Sequence, residues 1–353
     1  MTRKIPAAVL GATGYVGGEL LRLLAAHPGF ELRAAVSTSK SGQTIDSVFP
    51  ALSPAYPYER FCSLEHCETM LGEIDELALF STAPHGASAA LVARLLDSAQ
   101  RQNVTVHTVD SSADFRYPDH NDYSSVYDQA HGAPAILDQF VQGVPEQVPV
   151  WQAPHVGHPG CFATAALLAA VPLCLAQPDM ESVFINGVTG STGAGRAPLP
   201  GTHHPERHSN LYAYKPLAHR HEPEIEAGIR VAGGGDVRVN FVPHSGPFSR
   251  GIHVTLQAEL PAPMTMSTLC EIYDSYYENA MFVQRLEGTP RIKNVVTSNH
   301  CHIGVAARGN TVVVMSVIDN LVKGAAGGAI QWMNRLYALP EHSGLTSVSP
   351  AWT

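Results

Sequence analysis

Near the start of the chain an apolar stretch, Ala7 to Leu10, runs into G-A-T-G-Y-V-G at Gly11 to Gly17 and then into residues with helical spacing. A second strand is predicted at Glu31 to Val36, which makes the segment a βαβ unit and the opening of a doubly wound sheet. A glycine turn between strand and helix offers backbone amides and the helix dipole to a pyrophosphate. Gly11, Thr13, Gly14, Tyr15, Val16 and Gly17 are therefore the expected dinucleotide contacts. The spacing departs from GxGxxG, and a tight turn without ligand is the competing reading.

The alternation continues to about residue 110, with strands predicted at Leu77 to Phe80 and Val104 to Val109 around a helix at Ala87 to Ala99. Tyr117 to Val150 is rich in Pro, Asp, Gln and aromatic residues, and reads as irregular connection. Beyond it a helix is predicted from Cys161 through the apolar Ala165 to Leu175. Strands follow at Val183 to Gly187, Val237 to Val242, Ile252 to Leu256 and Thr311 to Ile318. A last helix, Leu321 to about Leu336, is expected to return to the first domain. The fold class expected is α/β: an N-terminal Rossmann doubly wound domain plus an α+β domain with a mixed or antiparallel sheet. The domains are residues 1–154, completed by about 320–353, and residues 155–319; 353 residues suffice for both.

A formal charge of -9 disfavours a nucleic-acid footprint, which needs a basic surface. No apolar run reaches the roughly 18 residues of a membrane span, and the start lacks a signal-peptide pattern, so a cytoplasmic protein is expected. Six cysteines in a chain of this length suit reduced thiols, not a disulfide scaffold. Cys62, His66 and Cys67 lack a second pair at finger spacing, and no metal is expected.

Where an NAD site would offer an acidic residue to the ribose, the end of the second strand has Ser37, Thr38, Ser39 and Lys40. Hydroxyls and a cation suit a 2′-phosphate, which points to NADP(H); a solvated loop is the alternative.

Three further segments carry chemistry. Cys161, after Pro159-Gly160 and at the start of a helix, is placed where a helix N-terminus favours a thiolate. The stretch Tyr214 to Ile225 concentrates histidines, a guanidinium and carboxylates; a helix beginning near Glu222 puts His221 and Glu224 on one face, where the carboxylate can orient the imidazole. Ser191, Gly193, Gly195 and Arg196 lie in a small-residue loop that reads as an anion cradle, with a plain connecting loop as the competing account.

Taken together, G-A-T-G-Y-V-G-G-E-L-L-R-L-L at Gly11 to Leu24, D-S-S-A-D-F-R at Asp110 to Arg116, H-P-G-C-F-A-T at His158 to Thr164, H-R-H-E-P-E-I at His219 to Ile225 and D-N-L-V-K-G-A-A-G at Asp319 to Gly327 resemble the N-acetyl-gamma-glutamyl-phosphate reductase family of the aspartate-semialdehyde and glyceraldehyde-phosphate dehydrogenase group. The resemblance implies that Cys161 is the nucleophile and His221 the acid/base, with His219 a rival. It implies that Ser112 and Arg116 help form the substrate pocket and that Asn320 lies near the nicotinamide. It also implies a homo-oligomer, dimer or tetramer.

Two departures stand out: His158 where the family often has Asn, and T-H-H-P-E-R at Thr202 to Arg207, which looks more like the lysine-pathway reductase acting on a carrier-linked aminoadipyl phosphate. The reaction expected is NADPH-dependent reduction of an acyl phosphate to a semialdehyde through a cysteine thioester, with release of inorganic phosphate. The alternatives are the form served by an acidic carrier protein and a non-catalytic NADPH-sensing protein.

Overall fold

The computed structural model describes residues 3–351, which divide into two compact units. Among the described residues of the first unit, seven strands form one sheet in the order β3-β2-β1-β4-β5-β7-β6: β1 (Ile5–Leu10), β2 (Phe30–Val36), β3 (Phe61–Cys62), β4 (Glu76–Ser81), β5 (Thr105–Asp110), β6 (Phe140–Gln142) and β7 (His155–Gly157). Every pairing is parallel. β1 and β4 are buried almost throughout, as strands covered on both faces must be. Leu10, Leu77 and Leu79 share a core with Val92 and Leu95 of the helix Ser88–Arg101. The helices Tyr15–Ala25 and Gly327–Leu336 pack together, and His27 Nε2 meets Asn334 Oδ1 at 3.0 Å to tie the two segments. Strand order reverses between β1 and β4, so the turns that follow them diverge at the crevice where such sheets take ligands.

The second unit also holds a seven-stranded sheet among its described residues, in the order β12-β13-β14-β11-β8-β10-β9. Its strands are β8 (Ser182–Thr189), β9 (Tyr212–Ala213), β10 (Arg238–Ser245), β11 (Ile252–Glu259), β12 (Val283–Arg285), β13 (Cys301–Arg308) and β14 (Thr311–Ile318). The sheet is mixed, with β8–β10 and β12–β13 parallel and the other pairs antiparallel. The helix Cys161–Ala176 is buried from Phe162 to Cys174 and apolar on all sides, which makes it the centre of this core. Pro172 within it cannot donate to Leu168 O, and the Tyr277 hydroxyl fills that vacancy at 2.7 Å.

Three expectations need correction. The irregular stretch before residue 150 contains the helix His120–Tyr127 and β6, which pairs with β7 to extend the first sheet. The chain also crosses between units at places other than residues 154 and 320. Residues 143–149 belong to the second unit because Val144 is in its core and Gln147 Nε2 donates to Leu167 O at 2.7 Å. The return to the first unit begins at Ala326, so Asn320 stays with the second; residues 347–351 join the second unit, where Ser349 Oγ donates to Val296 O. Finally, the predicted helix at Leu321 opens as a π-helical turn, Val322–Ala326, before Gly327–Leu336. The helix Met266–Tyr276 and β13 were not expected. No described helix is long and apolar enough to cross a membrane.

Candidate active site

In the first unit, Gly11 has φ +70, and a Cβ there would lie 2.6 Å from Thr82 O, in the turn after β4. Gly17 packs as closely, with Ala12 backbone 2.7 Å from where its Cβ would be. Gly14 differs. Its Cβ position meets only Gly11 O, at 3.6 Å, and Gly14 N-caps the helix Tyr15–Ala25 without a side-chain bond. Two glycines thus draw the turn tight while the third leaves the helix N-terminus open to a phosphate. Thr13 and Val16 are half-buried and Tyr15 is exposed beside them.

Ser37 is buried, and its Oγ accepts Lys40 N at 3.2 Å and meets Thr13 Oγ1 at 3.3 Å. Its hydroxyl therefore orders the loop; Ser39 and Lys40 are exposed.

Ser112 and Arg116 also belong to this unit, within a buried network. Ser112 Oγ donates to Asp110 Oδ2 at 2.6 Å and accepts Asp114 N at 3.1 Å. Arg116 donates to His158 O at 3.1 Å and to Ser111 O at 2.9 Å. These bonds brace the loop after β5, so both residues have a framework role that the motif alone did not reveal. His158 is fully buried, and its N–H donates to Asp110 O at 2.8 Å.

In the second unit a cavity of about 420 Å³ is lined by Cys161, Ser191, Gly193, Thr202, Tyr214, Lys215, His219, Arg220 and His221, among others. Cys161 is the first residue of its helix, half-buried behind the N-cap Gly160. Burial pushes the Cys67, Cys174 and Cys301 thiols up to about 12, as expected of inert core cysteines; Cys161 faces a cavity.

The helix His221–Val231 begins with His221, one residue before the predicted start. His221 Nε2 lies 3.9 Å from Glu224 Oε2, one helical turn on, and Glu224 Oε1 accepts Gly160 N at 2.6 Å. His219 Nδ1 accepts His221 N at 3.1 Å, and the two rings meet edge-on with centroids 4.7 Å apart. Burial, reinforced by the Arg220 and Lys215 cations, pushes the His219 imidazole down to about 4. It is neutral near pH 7. Burial, and then the charge of Cys161, pushes the Tyr214 phenol up, so it stays protonated.

The loop at Ser191 brings Ser191 and Gly193 to the cavity, with several of its amides already bonded to carbonyls. Ser191 N donates to Phe248 O, Thr192 N to Ser249 O, Gly193 N to Gly190 O and Gly195 N to Thr192 O, all within 2.9 to 3.2 Å. These amides hold the loop to its neighbours, and Arg196 is exposed outside the lining, as is Gly195. The cations in the lining are Lys215 and Arg220. Both lie in the histidine stretch, whose guanidinium was noted but not assigned. Lys215 has φ 44, and Leu217 has φ 54, a strained conformation for a bulky residue and one that clusters at functional sites.

Asn320 is buried, its Oδ1 accepting Gly251 N at 2.7 Å and its Nδ2 donating to Thr192 Oγ1 at 3.0 Å. The amide holds two loops of its own unit together. Thr202 lines the cavity, whereas Arg207 is buried and donates to the carbonyls of Asn210 and Phe248. Among the described residues no group of three or more His, Cys, Asp or Glu side chains is arranged for a metal ion.

A parallel dinucleotide-type sheet joined to a mixed-sheet unit that opens a cysteine onto a cavity is the organisation of a semialdehyde-dehydrogenase-type oxidoreductase. The family model for the semialdehyde dehydrogenase NAD binding domain matches residues 6–156, and that for the dimerisation domain matches residues 161–320. An N-acetyl-gamma-glutamyl-phosphate reductase of Ectopseudomonas mendocina is 40% identical, covering 97% of this chain and 98% of its own. One from Acetivibrio thermocellus is 37% identical over 96% of this chain and 97% of its own. The chain belongs to the N-acetyl-gamma-glutamyl-phosphate reductase family. Solved structures share the fold: aspartate semialdehyde dehydrogenase II of Vibrio cholerae complexed with ASA has a TM-score of 0.68 at 17% identity, covering 96% of this chain and 99% of its own. The Candida albicans aspartate semialdehyde dehydrogenase with NADP has a TM-score of 0.60 at 14% identity, covering 95% and 99%.

Proposed function

We propose that the protein reduces N-acetyl-gamma-glutamyl phosphate to N-acetyl-glutamate 5-semialdehyde with NADPH, releasing inorganic phosphate, and that Cys161 carries the acyl group as a thioester. The observation that carries this reading is the convergence of Cys161, His219, His221, Lys215 and Arg220 on one cavity. A soft nucleophile, imidazole and two cations suit an acyl phosphate bearing its own carboxylate.

The Cys161 thiolate attacks the acyl carbon, forming the C–S bond as the C–O bond to phosphate breaks and the phosphate leaves with that electron pair. NADPH, when bound, would supply the hydride that reduces the thioester carbonyl carbon to a thiohemiacetal. Collapse of this adduct breaks the C–S bond, releases the semialdehyde and restores Cys161. His221, with the Glu224 carboxylate one turn away, takes the thiol proton first and later gives a proton to the oxygen that gains negative charge. His219, neutral and committed to His221 N through Nδ1, serves as its support.

The open turn at Gly14 fits a pyrophosphate, with Gly11 and Gly17 shaping it. Ser39 and Lys40 supply a hydroxyl and a cation for a 2′-phosphate, which supports NADPH over NADH. The sheet face opposite the Cys161 helix carries Phe184, 55% exposed, with half-buried Val188, Val242, Val313 and Met315, which supports a homo-oligomer joined there. All six cysteines are thiols, which supports work in the cytoplasm.

The test is oxidation of N-acetylglutamate semialdehyde by NADP with phosphate, alongside carrier-linked aminoadipate semialdehyde. Wild type turns over the free acetylated substrate, and Cys161→Ser binds NADP but does not turn over. Activity confined to the carrier-linked substrate contradicts the assignment.

A further inference from the structure

Gly324 lies against the residue that the proposed function makes the nucleophile. A Cβ at Gly324 would stand 2.8 Å from Cys161 Cβ, 3.1 Å from Cys161 Cα and 3.3 Å from Ile318 Cδ1. The first distance is shorter than real Cβ contacts allow. Its φ is not positive, so the backbone conformation does not call for glycine; proximity to Cys161 does.

The segment that brings it there is unusual and firmly fastened. Gly324 sits in the π-helical turn Val322–Ala326, and its N–H donates to Asp319 O, five residues back, at 3.0 Å. Isolated π turns are rare and recur at functional sites. Before the turn, the buried Asp319 carboxylate accepts Leu321 N at 2.8 Å, Val322 N at 3.0 Å and Thr297 N at 2.6 Å, and pairs with Arg250 at 3.0 Å. Within the turn, Lys323 Nζ meets Glu146 Oε1 at 2.5 Å, with the two side chains 0% and 2% exposed. A sealed ion pair is weak evidence for stability but holds a fixed register.

We propose that Gly324 is a positioning residue for the thiol: the π turn, fastened through Lys323–Glu146 and Asp319–Arg250, holds bare backbone against Cys161 and sets the direction in which its sulfur points. This rests on Cys161 being the nucleophile. Neither Lys323 nor Glu146 lines the cavity, so their influence on the reaction runs through the turn.

The test compares Gly324→Ala and the double variant Lys323→Met/Glu146→Gln with wild type. Replacing both charges avoids leaving one buried alone. The readouts are kcat, KM, and the pH profile of iodoacetamide labelling at Cys161 followed by peptide mass spectrometry, with melting temperature and NADPH affinity as controls on folding. Gly324→Ala is expected to lower kcat about 10- to 100-fold, the effect of a misplacement below 1 Å to about 1 Å, with KM within about 3-fold. Its Cys161 labelling profile moves while NADPH affinity holds. The double variant changes in the same sense.

A purely structural role lowers the melting temperature and leaves kcat and the labelling profile at wild-type values, and that result overturns the proposal. Should Gly324→Ala not fold, the double variant decides on the same readouts. Full turnover by wild-type enzyme already alkylated at Cys161 sinks the nucleophile reading and this proposal with it. A wild type inactivated by that label beside a fully active, normally labelled Gly324→Ala sinks this proposal alone.

Discussion

The Glu224 carboxylate accepts the backbone N–H of Gly160 at 2.6 Å across 64 residues of sequence, while its other oxygen lies 3.9 Å from His221 Nε2. One buried side chain thus reaches both the residue before Cys161 and the imidazole proposed to serve it. The distance between helices, and not sequence proximity, makes this a unit.

Glu224→Gln keeps an acceptor for Gly160 N–H but turns its amide N–H₂ toward His221 and removes the charge. The expected loss in kcat is about 10- to 100-fold, with little change in KM, since the interaction grows as the imidazole takes a proton. Steady-state kinetics check it; an unchanged kcat removes Glu224 from the mechanism.

The two histidines separate by substitution. His221→Asn should cost about 100- to 10,000-fold in kcat, the range of a lost general acid/base. His219→Asn should cost under about 10-fold, because Asn Oδ1 can still accept His221 N and the ring it replaces is already neutral. The reverse order of losses in pH–rate profiles exchanges the two roles.

Gly11→Ala should both destabilise the first unit and weaken NADPH binding. A left-handed backbone costs alanine about 1–2 kcal/mol, and the contact at 2.6 Å with Thr82 O adds to it. Calorimetric titration of NADPH checks this; wild-type affinity at wild-type melting temperature contradicts the placement of the turn.

Stability should fall as pH drops from about 6.5 to about 4. Burial pushes His27, His155 and His219 down to about 4, so in that window the unfolded chain binds protons that the folded chain refuses. Asp110 opposes this, since burial pushes its carboxyl up to about 6 and the folded chain takes that proton first. Three imidazoles outweigh one carboxyl. Melting temperature at pH 5 should therefore lie several degrees below that at pH 7.5, and a flat profile contradicts the prediction.

The elements with strong periodicity were legible from residues alone. Gly11 to Gly17 between an apolar strand and a helix announced the parallel sheet, and the apolar run after Cys161 announced the central helix. β13 was missed because Cys301-His302-Ile303-Gly304 alternates around a glycine and a histidine, which weakens a strand signal. Composition cannot show where the amides of the loop at Ser191 point: those of Ser191, Thr192 and Gly193 have carbonyl partners. Arg220 and Lys215 stood in plain view in the histidine stretch, but only the fold brings them to the cavity that Cys161 lines. Gly324 left no sequence signal beyond its place in a motif, since its role depends on a contact with a residue far away in sequence.

The acyl-enzyme itself can be measured by rapid mixing of the protein with N-acetylglutamate semialdehyde and NADP in the absence of phosphate. One equivalent of NADPH per active site, followed by a stall, with the acetylglutamyl group on the Cys161 peptide, is the predicted result. No burst, or an equal burst from Cys161→Ser, contradicts the account.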